Sequence, residues 1–273
     1  MCDMALISCP ECGKMISDKA KFCPSCGYPF DMQPIAQIDS CIVPQEVEQE
    51  FSPEDLYLLG ISYYLGENGI DMDQNQGIAY LKSAAQKGSI EAQLQLGDIY
   101  LNSDVDEAIM WFTKAAEAEN PQAQLYLAST YITDKKDYRA ATKWLQKASD
   151  KNLPEAQFLL AGNYFFGQGV QQDYKQALKW YMKAAMQGNA DAQGSLGLMY
   201  YCGYGVTQDY AQAIKWYKLA AEQGKPNAQY QIGFFYQYGI GVKMNIQEAI
   251  RWYSIAASNG SEEASKALNE LSL

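Results

Sequence analysis

The stretch EAQFLLAGNYFFGQGVQQDYKQALKWYMKAAMQG, residues 155–188, decides the architecture because the chain repeats it. The pattern restarts at Asp191-Ala192-Gln193 and at Asn227-Ala228-Gln229, and earlier copies open at Glu91-Ala92-Gln93 and Gln122-Ala123-Gln124. The opening alanines 92, 123, 156, 192 and 228 stand 31, 33, 36 and 36 residues apart. A further copy starts near Asp55 and a half-copy at Ala264. Periods of this length mark one supersecondary unit per repeat, each unable to bury its apolar face alone. The expected array is six full units and a terminal helix, Glu262 to Leu271, over residues 54–273.

Each unit reads as two antiparallel helices. In the first, an apolar residue precedes a small one, as in Leu96-Gly97, Leu160-Ala161 and Ile232-Gly233, and Tyr follows three residues on. Glycine inside a helix costs ~1 kcal/mol, so its recurrence implies a close crossing there. The tyrosines share that buried face. Gly167-Gln168-Gly169, Gly203-Tyr204-Gly205 and Gly239-Ile240-Gly241 supply positive φ in the link. Asp173, Asp209 and Asn245 cap the second helix. That helix carries Trp111, Trp144, Trp180, Trp216 or Trp252 (Tyr80 in the first unit) and stops at Gly88, Gly188, Gly224 or Gly260, with Asn152 as the substitute. The repeated Tyr and Trp positions are expected to be core. Units two and three replace the glycine link with Leu101-Asn102-Ser103-Asp104 and Ile132-Thr133-Asp134-Lys135.

These motifs, most complete in units four to six, resemble the Sel-one-like repeat family, relatives of tetratricopeptide repeats. The resemblance covers 220 of 273 residues. It implies an all-α, right-handed α-solenoid whose concave wall serves as an adaptor surface in protein complexes. Physical reasoning agrees on the architecture, since neighbours must stack to cover each other's apolar sides.

The N-terminus reads differently. Cys9-Pro10-Glu11-Cys12-Gly13 and Cys23-Pro24-Ser25-Cys26-Gly27 are two knuckles with ten residues between the pairs. Such pairs close a tetrahedral four-sulfur shell around zinc. About thirty residues build no self-sufficient core, so metal binding would drive folding of residues 1–30. The segment resembles the zinc-ribbon family, with Cys9, Cys12, Cys23 and Cys26 as ligands of structural Zn2+; rubredoxin-like iron and a redox pair are the rival readings. Three lysines balance three acids over residues 1–30, so no basic stripe points to nucleic acid. Residues 31–53 hold Pro34, Pro44 and Pro53, five acids and no Lys or Arg. Such a stretch reads as an acidic linker.

Composition narrows the function. Hydrophobic residues make up 48% of the chain, a globular value, and the net charge is −11. The acidic balance argues against a chain built to neutralise phosphates. No histidine is present, which removes the commonest base near neutral pH and all Ser-His and Cys-His arrangements. Asp98, Asp104 and Asp106 read as a solvated turn and a helix cap. Cys202 is alone in the array and lacks a His partner. No apolar run reaches the roughly 20 residues of a membrane span. Met1-Cys2-Asp3-Met4 shows no basic stretch or apolar signal core, so the cytoplasm is the expected location.

Positions that vary between units are the candidates for binding. On the first helix, the face turned from the second comes two residues after the opening Ala, then four and seven residues later. Those rows supply Tyr57, Tyr64, Leu94, Phe158, Phe165, Tyr201, Tyr230 and Phe234 as candidate contacts for a protein or peptide partner. The expected function is a non-enzymatic scaffold that recruits a protein, with no membrane and no small-molecule substrate. The alternative is a regulatory factor whose ribbon contacts nucleic acid while the solenoid recruits partners.

Overall fold

The computed structural model describes residues 51–271 and the backbone of two short strands, β1 (Leu6–Ser8) and β2 (Met15–Ser17). The strands pair antiparallel, with Leu6 opposite Ser17 and Ser8 opposite Met15. The six residues between them in sequence carry the first cysteine pair. Cys9, Cys12, Cys23, Cys26 and the linker up to residue 50 lie outside the described residues.

Among the described residues the remainder is all-α. The chain divides into two compact units, Met1–Ala118 and Glu119–Leu273. The first holds the hairpins α1 (Pro53–Leu65) with α2 (Gln74–Gln86) and α3 (Ile90–Leu101) with α4 (Val105–Glu117). The second holds α5 (Pro121–Thr130) with α6 (Tyr138–Asp150), α7 (Pro154–Phe166) with α8 (Tyr174–Met186), α9 (Ala190–Cys202) with α10 (Tyr210–Glu222), and α11 (Pro226–Tyr238) with α12 (Ile246–Ser258). Helix α13 (Glu262–Leu271) packs on α12 as the terminal helix. Within each unit every helix packs on its neighbours in sequence, as the solenoid reading expects. Phe51 is buried in the first hairpin's core and Ser52 caps α1.

The termini follow the local chemistry. Asp73, Asp104, Asp137, Asp173, Asp209 and Asn245 each accept a backbone N–H at the start of a second helix. A cap of this kind contributes ~1 kcal/mol. Asp104 takes the N–H groups of Asp106 and Glu107, both at 3.1 Å, so that acidic turn is a cap, as its sequence implies. The foreseen stops hold: Gly88, Gly188, Gly224 and Gly260 have φ between 83° and 96°, and Asn152 has φ 66°. The glycine-free link of unit three is a short π-helical turn, Tyr131–Lys135, ended by Lys136 at φ 54°.

The core departs from the expectation in one respect. Tyr63, Tyr80, Trp111 and Trp180 are buried, but Tyr100, Tyr131, Tyr164, Tyr200 and Tyr236 are half-buried, as are Trp144, Trp216 and Trp252. The residue after the Trp position is the one buried in every unit: Leu81, Phe112, Leu145, Tyr181, Tyr217 and Tyr253. Its side chain fills the space left by the first-helix glycine. A Cβ on Gly97, Gly197 or Gly233 would stand 2.3, 2.7 or 2.6 Å from the Phe112, Tyr217 or Tyr253 ring. The close crossing is thus ring against backbone.

Within each compact unit, glutamines of the opening Ala-Gln tie a hairpin to the one before it. Nε2 of Gln193 and Gln229 donates to the carbonyls of Ala185 and Ala221 at 3.2 and 3.0 Å. Gln157 does the same to Ser149 at 3.3 Å. Their Oε1 atoms accept from Gln223, Asn259 and Gln187 at 2.8–2.9 Å, residues that close the second helix of the same unit. In the first compact unit Gln93 donates to Ala85 at 3.0 Å, but Ala118 occupies the closing position and Gln93 Oε1 is buried without a partner. Ala118→Gln should therefore raise stability by about 1 kcal/mol, read as a higher urea midpoint. An equal rise with Ala118→Leu would assign the gain to burial instead.

Candidate partner-binding surface

In α7, α9 and α11 the buried residues are the opening Ala and Gln, the Leu-Gly or equivalent pair, and one residue near the end. In α9 these are Ala192, Gln193, Leu196, Gly197 and Met199. The opposite stripe is left to solvent. All eight candidate contacts are half-buried. Tyr57 rests on the first unit's core, and Leu94 and Tyr64 lie on the same compact unit.

In the second unit the candidates form ring contacts. Phe158 packs on Tyr181, with centroids 5.8 Å apart, and Tyr230 on Tyr253 at 5.4 Å. Phe165 is a hub, meeting Phe166, Tyr174 and Tyr204 at 4.9–5.6 Å. Tyr201 joins Tyr210 at 5.8 Å and Phe235 at 5.5 Å. Phe234 joins Tyr238 at 4.8 Å. Each candidate ring is half-buried and packs on at least one neighbouring ring.

The most exposed members were not among the candidates. Phe166 is 66% exposed and Tyr238 58%, and Leu65 is the first unit's equivalent at 52%. They stand immediately before the left-handed glycines 167, 239 and 66. The signal was helical spacing, since they continue the stripe by one i+4 step from Gly162, Phe234 and Ile61. With Leu198, 39% exposed, they make the second unit's outer stripe apolar.

That stripe is also nearly free of charge. Across α5, α7, α9 and α11 the only charged side chains are Glu155 and Asp191, both in a first turn. The buried phenols are poor acids: burial raises the pKa of Tyr181, Tyr217 and Tyr253 above the usual tyrosine value. Tyr253 Oη donates to Gln237 Oε1 at 2.6 Å. Cys202 is an exposed free thiol. Among the described residues no three His, Cys, Asp or Glu side chains converge as a metal site, and no helix is long and apolar enough to cross a membrane. The arrangement offers apolar contact.

Comparison with known proteins agrees with this architecture. The Sel1 repeat family model matches residues 53–89, 90–120, 121–153, 154–189, 190–225 and 226–261. A zinc-ribbon domain model matches residues 5–30. A protective antigen of uropathogenic Escherichia coli, c5321, with an SLR fold, is similar at 32% identity and a TM-score of 0.73 over 80% of this chain. This chain spans about half of that antigen, 48% of its length. A Sel1 repeat protein from Oxalobacter formigenes is 30% identical, with a TM-score of 0.61, over 80% of this chain and 76% of its own. No curated protein matches the chain.

Proposed function

Since the chain belongs to the Sel1 repeat family, we propose that it is a non-enzymatic protein-binding scaffold whose first-helix stripe holds an apolar segment of a protein partner. The observation that carries this is the aromatic, nearly uncharged outer stripe of α7, α9 and α11, with Phe166, Leu198 and Tyr238 exposed and Phe234 half-buried beside Tyr238. Contiguous exposed apolar surface is uncommon on a protein without a partner. Hot spots that carry most interface energy are enriched in Tyr, Trp and Arg, and aromatic residues including Phe are enriched at interface cores. In the first unit Tyr57, Tyr64 and Leu94 would be its own contacts, and in the second Phe158, Phe165, Tyr201 and Tyr230 join the stripe.

The test is affinity capture with wild type and a Phe166→Ser, Phe234→Ser, Tyr238→Ser variant, with circular dichroism as the folding control. The variant should lose a protein that wild type retains. Recovery of the same proteins by both would overturn the reading.

The N-terminal segment is proposed to hold one zinc ion through Cys9, Cys12, Cys23 and Cys26. The donor set fits: four thiolates suit zinc, and β1 and β2 bracket the first pair in sequence. Zinc filling all four positions would give structural cross-linking and leave no coordination site for a substrate. Metal analysis should find one zinc per chain, lost with Cys23→Ser. Visible iron–thiolate absorption instead would replace zinc with iron. The cytoplasmic assignment is likewise part of this proposal.

A further inference from the structure

The second helices of the Glu119–Leu273 unit carry what the first helices lack. Arg139, Lys143 and Lys147 lie at i, i+4 and i+8 on α6, and Lys175, Lys179 and Lys183 repeat that spacing on α8. Lys215 continues the middle row on α10. All seven are exposed, and among the described residues none stands in an ion pair. Helix α8 contains no acid, and α6 and α10 have one each, at their last residues Asp150 and Glu222.

This arrangement works against the helices themselves. Like charges at i, i+4 repel; at the helix starts the caps Asp137 and Asp173 meet the N–H groups of Arg139 and Lys175, so the repulsion lies along the exposed rows. Lys147 and Lys183 are held in place, their ammonium groups 4.2 Å from the ring centres of Trp144 and Trp180. The positive face is local, because Glu119–Leu273 has 15 Lys and Arg against 13 acids while Met1–Ala118 has six against 19.

We propose that this face binds the Glu46-Val47-Glu48-Gln49-Glu50 segment of a second copy of the chain, joining copies head to tail. Bound as an extended strand, glutamates two residues apart would share one side at intervals of about 6.6 Å. Cations four apart on a helix repeat every 6 Å or so, so three carboxylates match three ammonium groups in register. The segment directly precedes Phe51 in sequence, and Phe51 is buried in the first unit. Polynucleotide is disfavoured as the occupant: the indoles of Trp144 and Trp180 lie beneath lysines and offer no free face for base stacking. An unlike-patch contact of this kind joins copies into rings or open chains. It is independent of the apolar stripe and of any partner bound there.

The test uses the full chain and a synthetic peptide of residues 42–50. Sedimentation at low ionic strength should show concentration-dependent association that vanishes at high salt. The peptide should bind, and binding should fall at least tenfold in a Lys175→Glu, Lys179→Glu, Lys183→Glu variant. A second variant, Glu46→Lys, Glu48→Lys, Glu50→Lys, should be monomeric alone yet associate when mixed with the first. A wild type that stays monomeric at low salt, or peptide binding untouched by the lysine reversal, would overturn the proposal. So would single-stranded oligonucleotide binding as tightly as the peptide.

Discussion

Gly169→Ala should destabilise the second unit by about 3 kcal/mol or more, whereas Gly188→Ala should cost only about 1–2 kcal/mol, the expense of a left-handed alanine. Both glycines have positive φ, 71° and 92°. They differ in what a Cβ would meet. At Gly188 nothing lies within 4 Å. At Gly169 the carbonyl oxygen of Tyr138 would be 2.2 Å away and its carbon 2.4 Å. A backbone carbonyl cannot swing aside as a side chain does, so the link would have to lift from the preceding repeat. Gly205 against the Tyr174 carbonyl, at 2.5 Å, is the same device one repeat later. Thus in these links the two glycines do different jobs: the first ends the helix and the second seats the link on its neighbour. Urea unfolding followed by tryptophan fluorescence measures both costs. Hydrogen exchange should show the Gly169→Ala loss concentrated around Tyr138 and residues 167–173. Equal costs for the two substitutions would remove the seating role.

The period, the hairpins, the caps and the stops were legible because each rests on chemistry local in sequence. An Asp before a helix and a Gly after one act within four residues. The Trp position misled for a geometric reason. Its recurrence was visible, but whether a ring or its neighbour points inward depends on how the second helix is rotated against the first, which sequence spacing does not set. The buried position tolerates Leu81, Phe112, Leu145 or Tyr217, so it varies in identity and conceals itself. The Ala-Gln motif was visible as a word without a meaning, because its hydrogen bond reaches the preceding repeat. On the candidate surface, the rows at Phe158, Tyr230 and Phe234 were readable from helical spacing. Phe166 and Tyr238 were passed over because the third row was stepped by three residues rather than four. The basic face of α6 and α8 was not singled out, since net charge averages it against the acidic N-terminal half.

Tyr217→Ala should cost about 3–5 kcal/mol, in the range of large aromatic deletions from a core, and should also disturb the candidate binding surface without being part of it. Tyr217 is 5% exposed, and Gly197 approaches the flat of its ring, with a hypothetical Cβ 2.7 Å from Cγ and 2.8 Å from both Cδ atoms. On its far side the ring meets Phe235 at 5.9 Å, and Phe235 meets Tyr201 at 5.5 Å. Deleting the ring opens a cavity between the fifth and sixth repeats and removes the support that holds Tyr201 outward. Gly197→Ala alone overpacks the same site and should cost about 1–3 kcal/mol. Unit three places Ala128 and Leu145 at the corresponding positions, so a Gly197→Ala, Tyr217→Leu pair should be less destabilised than the sum of its single changes. A coupling of about 1 kcal/mol or more in a double-mutant cycle is expected for groups in contact. Additive costs would mean that the two positions do not fit each other, and the glycine would then need another reason to sit inside a helix.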